Sequence, residues 1–254
     1  MKGLDDGRVF VITGGAGGIG TATAKVLAGH GSRVVVTDML GDAGVEAVSE
    51  LDEGRGMIRY LDLDVTDPTA VAEVADRLEA EGWPVHGLMA NAGIAPSAPA
   101  VDYPDETWLK TIDINLNAVF WTVREFGRRM VARGAGSIVI TSSIAGFGVV
   151  SPETHVAYGS TKAAVAHMAR LLGVEWATTG VRVNSVAPGY TATPILDRLK
   201  EEAPDVFDQW LARIPMGRLN TPEEIANSAA FLFSDLASGI TGAVLNVDGG
   251  YSAR

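Results

Sequence analysis

Residues 8–38 read RVFVITGGAGGIGTATAKVLAGHGSRVVVTD, and this stretch decides the fold. Its two ends, Arg8–Thr13 and Arg33–Thr37, are short, nearly all-apolar runs dominated by β-branched residues, as buried parallel strands are. Between them, Ile19–His30 predicts a helix, and Gly31 stands where a C-terminal cap is expected. Strand, glycine-rich turn, helix and strand together predict a βαβ unit.

The glycine-rich turn has the composition of a phosphate-binding loop. Gly14, Gly18 and Gly20 let the backbone turn sharply and approach a pyrophosphate, and the helix that follows presents free N–H groups. Asp38 ends the second strand, where a carboxylate can bind ribose hydroxyls. A glycine-rich turn alone is often only a turn, but inside a βαβ unit with Asp38 it predicts dinucleotide binding.

The rest of the chain continues the alternation of strands and helices, without an internal linker or repeat. Further strands are predicted at Met57–Leu63, His86–Ala90, Ser137–Thr141, Val181–Val186 and Ala243–Val247. Further helices are predicted at Gly41–Leu51, Thr66–Glu81, Pro104–Gly134, His155–Thr178 and Thr221–Phe233. We therefore expect one α/β domain over residues 1–254, a doubly wound parallel sheet (Rossmann fold) of about seven strands with helices on both faces. The irregular residues 190–218 are expected to form a lid over a ligand.

Composition excludes several classes of protein. The net charge is −11 with no Lys/Arg-rich run, which argues against a nucleic-acid partner. There is no Cys, and the four His residues show no metal-ligand spacing, so no metal is expected. No apolar run approaches the ~18 residues of a membrane span, and the charged N-terminus is unlike a signal peptide. A soluble, cytoplasmic protein is the expectation.

Tyr158 and Lys162 lie four residues apart, so a helix places them one turn apart on the same side. A cation at roughly 4.5 Å, with an effective dielectric of about 20, is worth about 3.7 kcal/mol and would lower the pKa of the Tyr by two to three units. Such a pair could transfer protons near neutral pH. The pair alone is weak evidence, because this spacing also arises by chance.

Other polar residues follow the strands where the strands end, at the edge of the sheet that binds ligands in such folds. Together with the Tyr–Lys pair they resemble the short-chain dehydrogenase/reductase family over the whole chain. The matching positions are Thr13-Gly14, Gly18-Ile19-Gly20, Asp64, Asn91-Ala92-Gly93, Asn115, Ser143, Tyr158, Lys162, Pro188-Gly189 and Asp248-Gly249-Gly250. The resemblance implies NAD(P)(H)-dependent oxidation of an alcohol or reduction of a ketone.

The resemblance also implies catalytic roles. Tyr158 would transfer the proton, and Lys162 would lower its pKa and bind the nicotinamide ribose. Ser143 would orient the substrate oxygen, although Ser142 is an alternative. Asn115 would break its helix and hold a water, although a polar residue on a helix face is the simpler reading. The cofactor-binding residues implied are Gly14, Gly18, Ile19, Asp38, Asp64, Val65, Asn91, Ala92, Gly93, Tyr158, Lys162, Pro188, Gly189, Thr191 and Thr193.

The substrate is expected to meet Ser143, Tyr158, His155 and Tyr190, although a solvated loop His is the alternative for His155. Segments 94–98, 145–155 and 190–213 mix apolar residues, including Ile195 and Leu196, with polar ones, which suits a small secondary alcohol with further hydroxyls. The segment between Ser143 and Tyr158 is one or two residues longer than the family pattern. The tracts 207–218 and 247–251 are most similar to polyol and sugar-alcohol dehydrogenases of the family.

Asp38 would repel a 2′-phosphate, and Gly15 and Met39 offer no compensating cation, so NAD is the expected cofactor. The helices 104–133 and 155–178 resemble those that pair subunits in this family, which implies a homotetramer, with a dimer as second choice. Two alternatives stay open: a 3-oxoacyl-carrier-protein reductase, and a non-catalytic module that senses NAD.

Overall fold

The structure is a computed structural model that describes residues 1–5, 7–193 and 204–253. In that part of the chain, strands and helices alternate as expected. The strands are β1 (Val9–Thr13), β2 (Arg33–Asp38), β3 (Ile58–Asp62), β4 (Val85–Ala90), β5 (Gly136–Thr141), β6 (Val181–Pro188) and β7 (Val244–Val247). The helices are α1 (Gly18–Gly29), α2 (Asp42–Asp52), α3 (Pro68–Ala80), α4 (Asp105–Ile112), α5 (Ala118–Arg133), α6 (Val156–Glu175), α7 (Pro204–Arg213) and α8 (Pro222–Phe233).

The seven described strands form one sheet in the order β3-β2-β1-β4-β5-β6-β7, and each neighbouring pair is parallel. The chain moves outward from β1 through β2 to β3 and then returns to place β4 on the other side of β1. This reversal of direction opens a crevice beyond the carboxyl ends of β1 and β4, which is where such sheets bind ligands. The predicted fold class is confirmed.

Each face of the sheet is covered by helices, because residues of β1 point alternately to the two sides. Val9 and Val11 pack in a core with residues of α3, α5 and α6. Phe10 and Ile12 pack in a second core with residues of α1 and α8. A strand buried on both faces reads as a continuous apolar run, which explains the composition of β1.

The expected helix over residues 104–134 is interrupted. α4 ends at Ile112, a π-helical segment covers Asp113–Asn117, and α5 starts at Ala118. π-Helical turns inside α-helices often occur at functional sites because they release backbone groups from the regular ladder.

The expected lid over residues 190–218 contains more regular structure than the sequence indicated, since α7 covers Pro204–Arg213. α7 carries apolar residues on one side, and Trp210 is buried. Residues 194–203, with Ile195 and Leu196, lie outside the described residues. None of the described helices combines the length and the apolar composition that a membrane span requires.

Candidate active site

A cleft of about 1010 Å³ opens at the carboxyl ends of the strands near the reversal between β1 and β4. Its lining includes most of the residues expected to bind a dinucleotide. Those residues are Gly14, Gly18, Ile19, Asp38, Asp64, Val65, Asn91, Ala92, Gly93, Tyr158 and Thr193. The ends of several strands and the glycine loop therefore meet in one cleft.

Gly14 takes a backbone conformation that only glycine adopts without strain, with φ of +58°. A Cβ atom at this position would lie 2.7 Å from the Cα atom of Ala92, and one at Gly20 would lie 2.6 Å from the Cα atom of Gly15. A Cβ at Gly18 would stand 3.0 Å from the Thr193 methyl carbon. Backbone packing therefore requires glycine at positions 14 and 20, and the Thr193 side chain covers Gly18.

The start of α1 presents backbone N–H groups to the cleft. Its N-cap residue, Gly17, has no side chain with which to bond the first-turn N–H groups. Beside it, the Asp38 carboxylate accepts hydrogen bonds from the backbone N–H of Ala16 at 3.2 Å and of Met39 at 2.9 Å. Uncapped N–H groups, close glycine backbone and a fixed carboxylate fit a dinucleotide whose pyrophosphate lies at α1 and whose ribose lies at Asp38.

Asn91 and Thr13 hold this side of the cleft together. The Asn91 side chain donates to the Gly14 carbonyl at 3.0 Å and accepts from the Thr141 hydroxyl at 3.2 Å. The Thr13 hydroxyl oxygen accepts from the backbone N–H groups of Asn91 at 3.1 Å and Ala92 at 3.3 Å. These bonds fix the glycine loop to the ends of β4 and β5.

Ser143, Tyr158 and Lys162 come together at the edge of the cleft. Ser143 follows β5, its hydroxyl accepts from the Ala145 N–H at 3.2 Å, and it lies close enough to the Tyr158 hydroxyl to influence the pKa of that phenol. Lys162 lies one turn further along α6, is 4% exposed and donates from Nζ to the Thr141 carbonyl at 2.8 Å. Its Nζ atom is 5.7 Å from the centroid of the Tyr158 ring.

The pKa of Tyr158 differs from the sequence expectation. Burial raises it, because a phenolate is poorly solvated there, and the hydrogen bond from Ser143 lowers it by a smaller amount. The expected lowering by Lys162 is wrong for this structure. Burial lowers the pKa of Lys162 itself to about 8, and its Nζ atom is directed at a backbone carbonyl and not at the phenol oxygen.

Ser143 is the serine beside Tyr158, as the family pattern implied. The alternative, Ser142, is buried in the sheet, where it donates to the Val186 carbonyl at 3.0 Å and accepts from the Ser185 hydroxyl at 2.9 Å. Its hydroxyl is therefore engaged in holding β5 to β6.

Asn115 lies in the π-helical segment and is fully buried, so the expected local break of the helix is confirmed. Its side chain accepts from the Ile94 N–H at 2.9 Å and donates to the Ile94 carbonyl at 2.8 Å. It also donates to the Thr161 hydroxyl at 3.3 Å. Asn115 thus joins the loop after β4 to the helix that carries Tyr158 and Lys162.

Of the other two expected substrate residues, His155 lies beside Tyr158 and Tyr190 is bonded to Glu153, two residues before His155. The His155 and Tyr158 rings are 5.6 Å apart, and His155 is half-buried, so a fully solvated His is not what the structure shows. The Tyr190 hydroxyl lies 3.3 Å from both carboxylate oxygens of Glu153. Tyr190 also stacks on Trp210, with ring centroids 4.4 Å apart.

Four expected cofactor residues lie behind the lining of the cleft: Lys162, Pro188, Gly189 and Thr191. Pro188 ends β6, and a Cβ at Gly189 would lie 2.7 Å from the Asp248 Cα atom. Thr191 is buried and donates to the Gly189 carbonyl at 3.0 Å. In the described residues, Pro188, Gly189 and Thr191 shape the backbone that leads to Thr193.

Comparisons with known proteins agree with this geometry. Residues 14–252 match the family model described as enoyl-(acyl carrier protein) reductase. Galactitol 2-dehydrogenase (L-tagatose-forming) of Cereibacter sphaeroides is 42% identical over 97% of this chain and 96% of its own. Cis-4-hydroxycyclohexanecarboxylate dehydrogenase of Sinomonas cyclohexanicum is 43% identical over 97% of both chains.

The chain belongs to the short-chain dehydrogenase/reductase family. A solved structure of a putative NAD(P)-dependent gluconate 5-dehydrogenase of Beutenbergia cavernae, with bound NADP at low occupancy, matches with a TM-score of 0.90. It is 38% identical, and the match covers 98% of both chains. As a member of this family, the protein is an oxidoreductase that acts on CH–OH groups and uses a nicotinamide cofactor.

Several lining residues of this dehydrogenase were missed from the sequence. They are Ala16, Gly17, Met39, Leu63, Thr66, Lys110, Asp113 and Ile114, whereas Ile94, which also lines the cleft, belongs to the segment 94–98 that was expected to border the substrate. Most are chain neighbours of predicted residues, so widening each motif by one or two positions would have found them. Lys110, Asp113 and Ile114 follow a helical spacing of three to four, and projecting the helix around Asn115 would have indicated that face. The described residues contain no group of three or more His, Asp or Glu able to hold a metal ion.

Proposed function

We propose that the protein is an NAD-dependent dehydrogenase that oxidises a secondary alcohol of a polyol or related small alcohol to the ketone. The observation that carries the proposal is the placement of Ser143 next to Tyr158, with buried Lys162 one turn further along α6, at the edge of the dinucleotide cleft. Family membership supports catalysis over a purely NAD-sensing role.

Each of these side chains has a distinct task in the proposed reaction. Tyr158 exchanges a proton with the substrate oxygen at its own hydroxyl oxygen. Ser143 donates a hydrogen bond that orients the same substrate oxygen. The glycine loop and Asp38 would hold NAD, which in its oxidised form would supply the acceptor for the hydride of the substrate carbon and a positive charge that would favour the Tyr158 phenolate. Burial raises the pKa of the free Tyr158, so its hydroxyl is protonated and has to lose that proton before it can accept one from an alcohol.

Asn115 would support the reaction by positioning the loop after β4. Because it bonds both backbone groups of Ile94, it fixes the loop that borders the nicotinamide end of the cleft. The π-helical segment around it releases backbone groups that could hold a water for proton relay to Lys162.

The preference for NAD over NADP rests on Asp38. Its carboxylate is fixed by the N–H groups of Ala16 and Met39, next to the position of the ribose. A 2′-phosphate there would meet like charge, and neither Gly15 nor Met39 offsets it. The similar structure from Beutenbergia cavernae contains NADP, so the ratio of kcat/KM for NAD to that for NADP has to be measured for this protein.

A polyol substrate is supported by two independent features. His155 lies beside Tyr158, and Glu153, two residues earlier in the chain, is bonded to Tyr190, so this segment offers polar groups that can bind additional hydroxyl groups. The relative from Cereibacter sphaeroides is a dehydrogenase of galactitol. NAD preference also fits oxidation, because cells usually keep that cofactor pool oxidised.

The test is a turnover screen of the purified protein with NAD, read by nicotinamide absorbance. The panel contains hexitols, pentitols, vicinal diols, simple secondary alcohols and hydroxyacyl thioesters. We expect turnover of the polyols to exceed that of the simple alcohols. Activity confined to the thioesters would overturn the proposal in favour of a 3-oxoacyl-carrier-protein reductase.

We also propose a homotetramer, with a dimer as second choice. Large apolar side chains are exposed on α4, α5 and α6, including Leu109 at 65% and Val174 at 78% exposure. Helix faces of this kind would be buried by pairing with a second copy. Light scattering at micromolar concentration should give about four times the monomer mass, and a monomer would contradict the proposal. A cytoplasmic location is proposed with it, since the reaction draws on the intracellular NAD pool.

A further inference from the structure

His155 presents a hydrogen-bond acceptor beside Tyr158. Its Nδ1 atom lies 3.1 Å from the Pro96 carbonyl oxygen. A carbonyl can only accept, so Nδ1 carries the proton, and in the neutral ring Nε2 is left as an acceptor. The centroids of the His155 and Tyr158 rings are 5.6 Å apart, so this acceptor lies on a ring next to the catalytic tyrosine.

Glu153 adds a second acceptor, two residues before His155. The Tyr190 hydroxyl donates to its carboxylate, and in the described residues this is the hydrogen bond that the carboxylate receives. Burial and the Glu153 charge both raise the pKa of Tyr190, so its hydroxyl stays protonated and acts as the donor. A carboxylate accepts about four hydrogen bonds, so most of its capacity is open to substrate hydroxyls.

The segment that carries these two residues is held in place on both sides. Thr154 donates from its backbone N–H to the Ser97 hydroxyl at 3.3 Å, and its carbonyl accepts from the Ala98 N–H at 3.2 Å. Arg213 of α7 donates to the Ser151 carbonyl at 3.2 Å. Tyr190 is fixed by stacking on Trp210. The acceptors are therefore positioned before a substrate arrives.

We propose that Glu153 and His155 select neutral polyols over alcohols that carry a carboxylate. This deepens the proposed function and rests on it. Two acceptors with one negative charge suit the hydroxyl hydrogens of a polyol, whereas a substrate carboxylate offers no donor and meets like charge at Glu153. Two described cations lie nearby and keep their charge: Lys162 donates to the Thr141 carbonyl, and Arg213 donates to the Ser151 carbonyl. Neither is hydrogen-bonded to Glu153, so the Glu153 carboxylate is the group that a substrate carboxylate would meet beside His155.

The question is open among the relatives, because they differ in this property. One is a dehydrogenase of galactitol, a neutral polyol, and another is a dehydrogenase of a hydroxycyclohexanecarboxylate, an acid. Overall similarity to the two is nearly the same, at 42% and 43% identity. Sequence identity therefore does not predict whether this protein prefers a neutral or an acidic alcohol, and the charge of Glu153 is the better guide.

The experiment compares galactitol with galactonate, which has the same carbon chain with one terminal CH₂OH replaced by a carboxylate. For the wild-type protein with NAD, we expect kcat/KM for galactitol to exceed that for galactonate at least roughly a hundredfold. Glu153→Gln keeps the shape and the Tyr190 hydrogen bond but removes the charge, and should narrow the ratio about tenfold or more. Glu73→Gln, an exposed residue of α3, makes the same charge change away from the cleft and should leave the ratio unchanged.

The possible outcomes separate this inference from the function on which it rests. A wild-type preference for galactonate, or a ratio unchanged in Glu153→Gln, overturns the selection by charge while leaving a polyol-type dehydrogenase in place. No turnover of any alcohol in the screen overturns both. If Glu153→Gln fails to fold, Tyr190→Phe serves instead: freeing the carboxylate should raise KM for galactitol while keeping the preference for it over galactonate. Loss of that preference would count against the inference.

Discussion

The glycine loop before α1 lines the cleft that Tyr158 also lines, and the segment before α6 leads directly to Tyr158, but the two are held by different kinds of contact. In the loop, the contacts are approaches of one backbone to another, such as Gly14 against Ala92. In residues 151–155, they are side-chain bonds to distant parts of the chain, such as His155 to Pro96 and Glu153 to Tyr190. Backbone contacts bind what all dinucleotides share, whereas side-chain contacts can distinguish one substrate from another.

Tyr158→Phe gives the largest expected effect, because Tyr158 stands where the two regions meet. Removing the hydroxyl removes proton transfer, and turnover should fall roughly a thousandfold or more while NAD binding is retained. Steady-state turnover and NAD titration by fluorescence measure the two properties. Lys162→Ala is the comparison variant, since it should lose turnover and also weaken NAD binding. A Tyr158→Phe protein with a tenth of the wild-type turnover would refute the assignment.

Gly14→Ala should weaken NAD binding without changing the contacts of residues 151–155. The new methyl group would stand 2.7 Å from the Ala92 Cα atom on a backbone with φ of +58°, so the loop must move. We expect KM for NAD to rise roughly a hundredfold and the protein to lose about 2 kcal/mol of stability. Gly148→Ala is the matched control, because a Cβ there meets nothing within 4 Å. Equal behaviour of the two variants would contradict the close backbone approach.

Asp38→Asn tests whether the cofactor side discriminates by charge. The amide oxygen can still accept from Ala16, but the repulsion of a 2′-phosphate is lost. The ratio of kcat/KM for NAD to that for NADP should fall roughly thirtyfold to a hundredfold. Asp113→Asn changes the same charge elsewhere in the cleft lining and should leave the ratio within about twofold. Equal efficiencies of the wild-type protein with NAD and NADP would refute the preference.

The smallest effect concerns stability and pH. Burial lowers the pKa of Lys162 from 10.5 to about 8, so Lys162 binds a proton less tightly in the folded protein than in the unfolded chain. The unfolded chain therefore holds more protons between pH 8 and 10.5, and this contribution to stability rises with pH across that window. Relative to Lys162→Met, the wild-type free energy of unfolding should increase by about 2 kcal/mol from about pH 7 to about pH 9.5. Urea denaturation at both pH values measures this, and a flat difference would show that Lys162 is not buried as described.

Most residues expected to bind the cofactor line one cleft, and the sequence could group them because this side depends on local pattern. The glycine turn, the apolar strands and the polar residues at strand ends are consecutive in the chain, and a parallel sheet brings strand ends to one edge. Asn115 and the break of its helix came from the family resemblance, since a lone Asn on a helix face indicates nothing by itself.

The residues of the substrate side could be predicted individually from the sequence, but the contacts between them could not. Glu153 and Tyr190 are 37 residues apart, and no periodicity connects them. Similarly, α7 was read as irregular because its apolar residues become buried only when Trp210 packs on Tyr190. The predicted lowering of the Tyr158 pKa was wrong for the same reason. It considered only the charge of Lys162 and omitted burial, which has the larger effect on this pKa.

The central claim is the oxidation of a secondary alcohol of a polyol to a ketone, with NAD as the acceptor. The most direct measurement is the product of wild-type turnover with NAD and the best polyol from the screen, identified by NMR and compared with the NADH formed. We expect a ketose and one NADH for each ketose. An aldose, formed by oxidation of a primary alcohol, or NADH formation only from hydroxyacyl thioesters would contradict it.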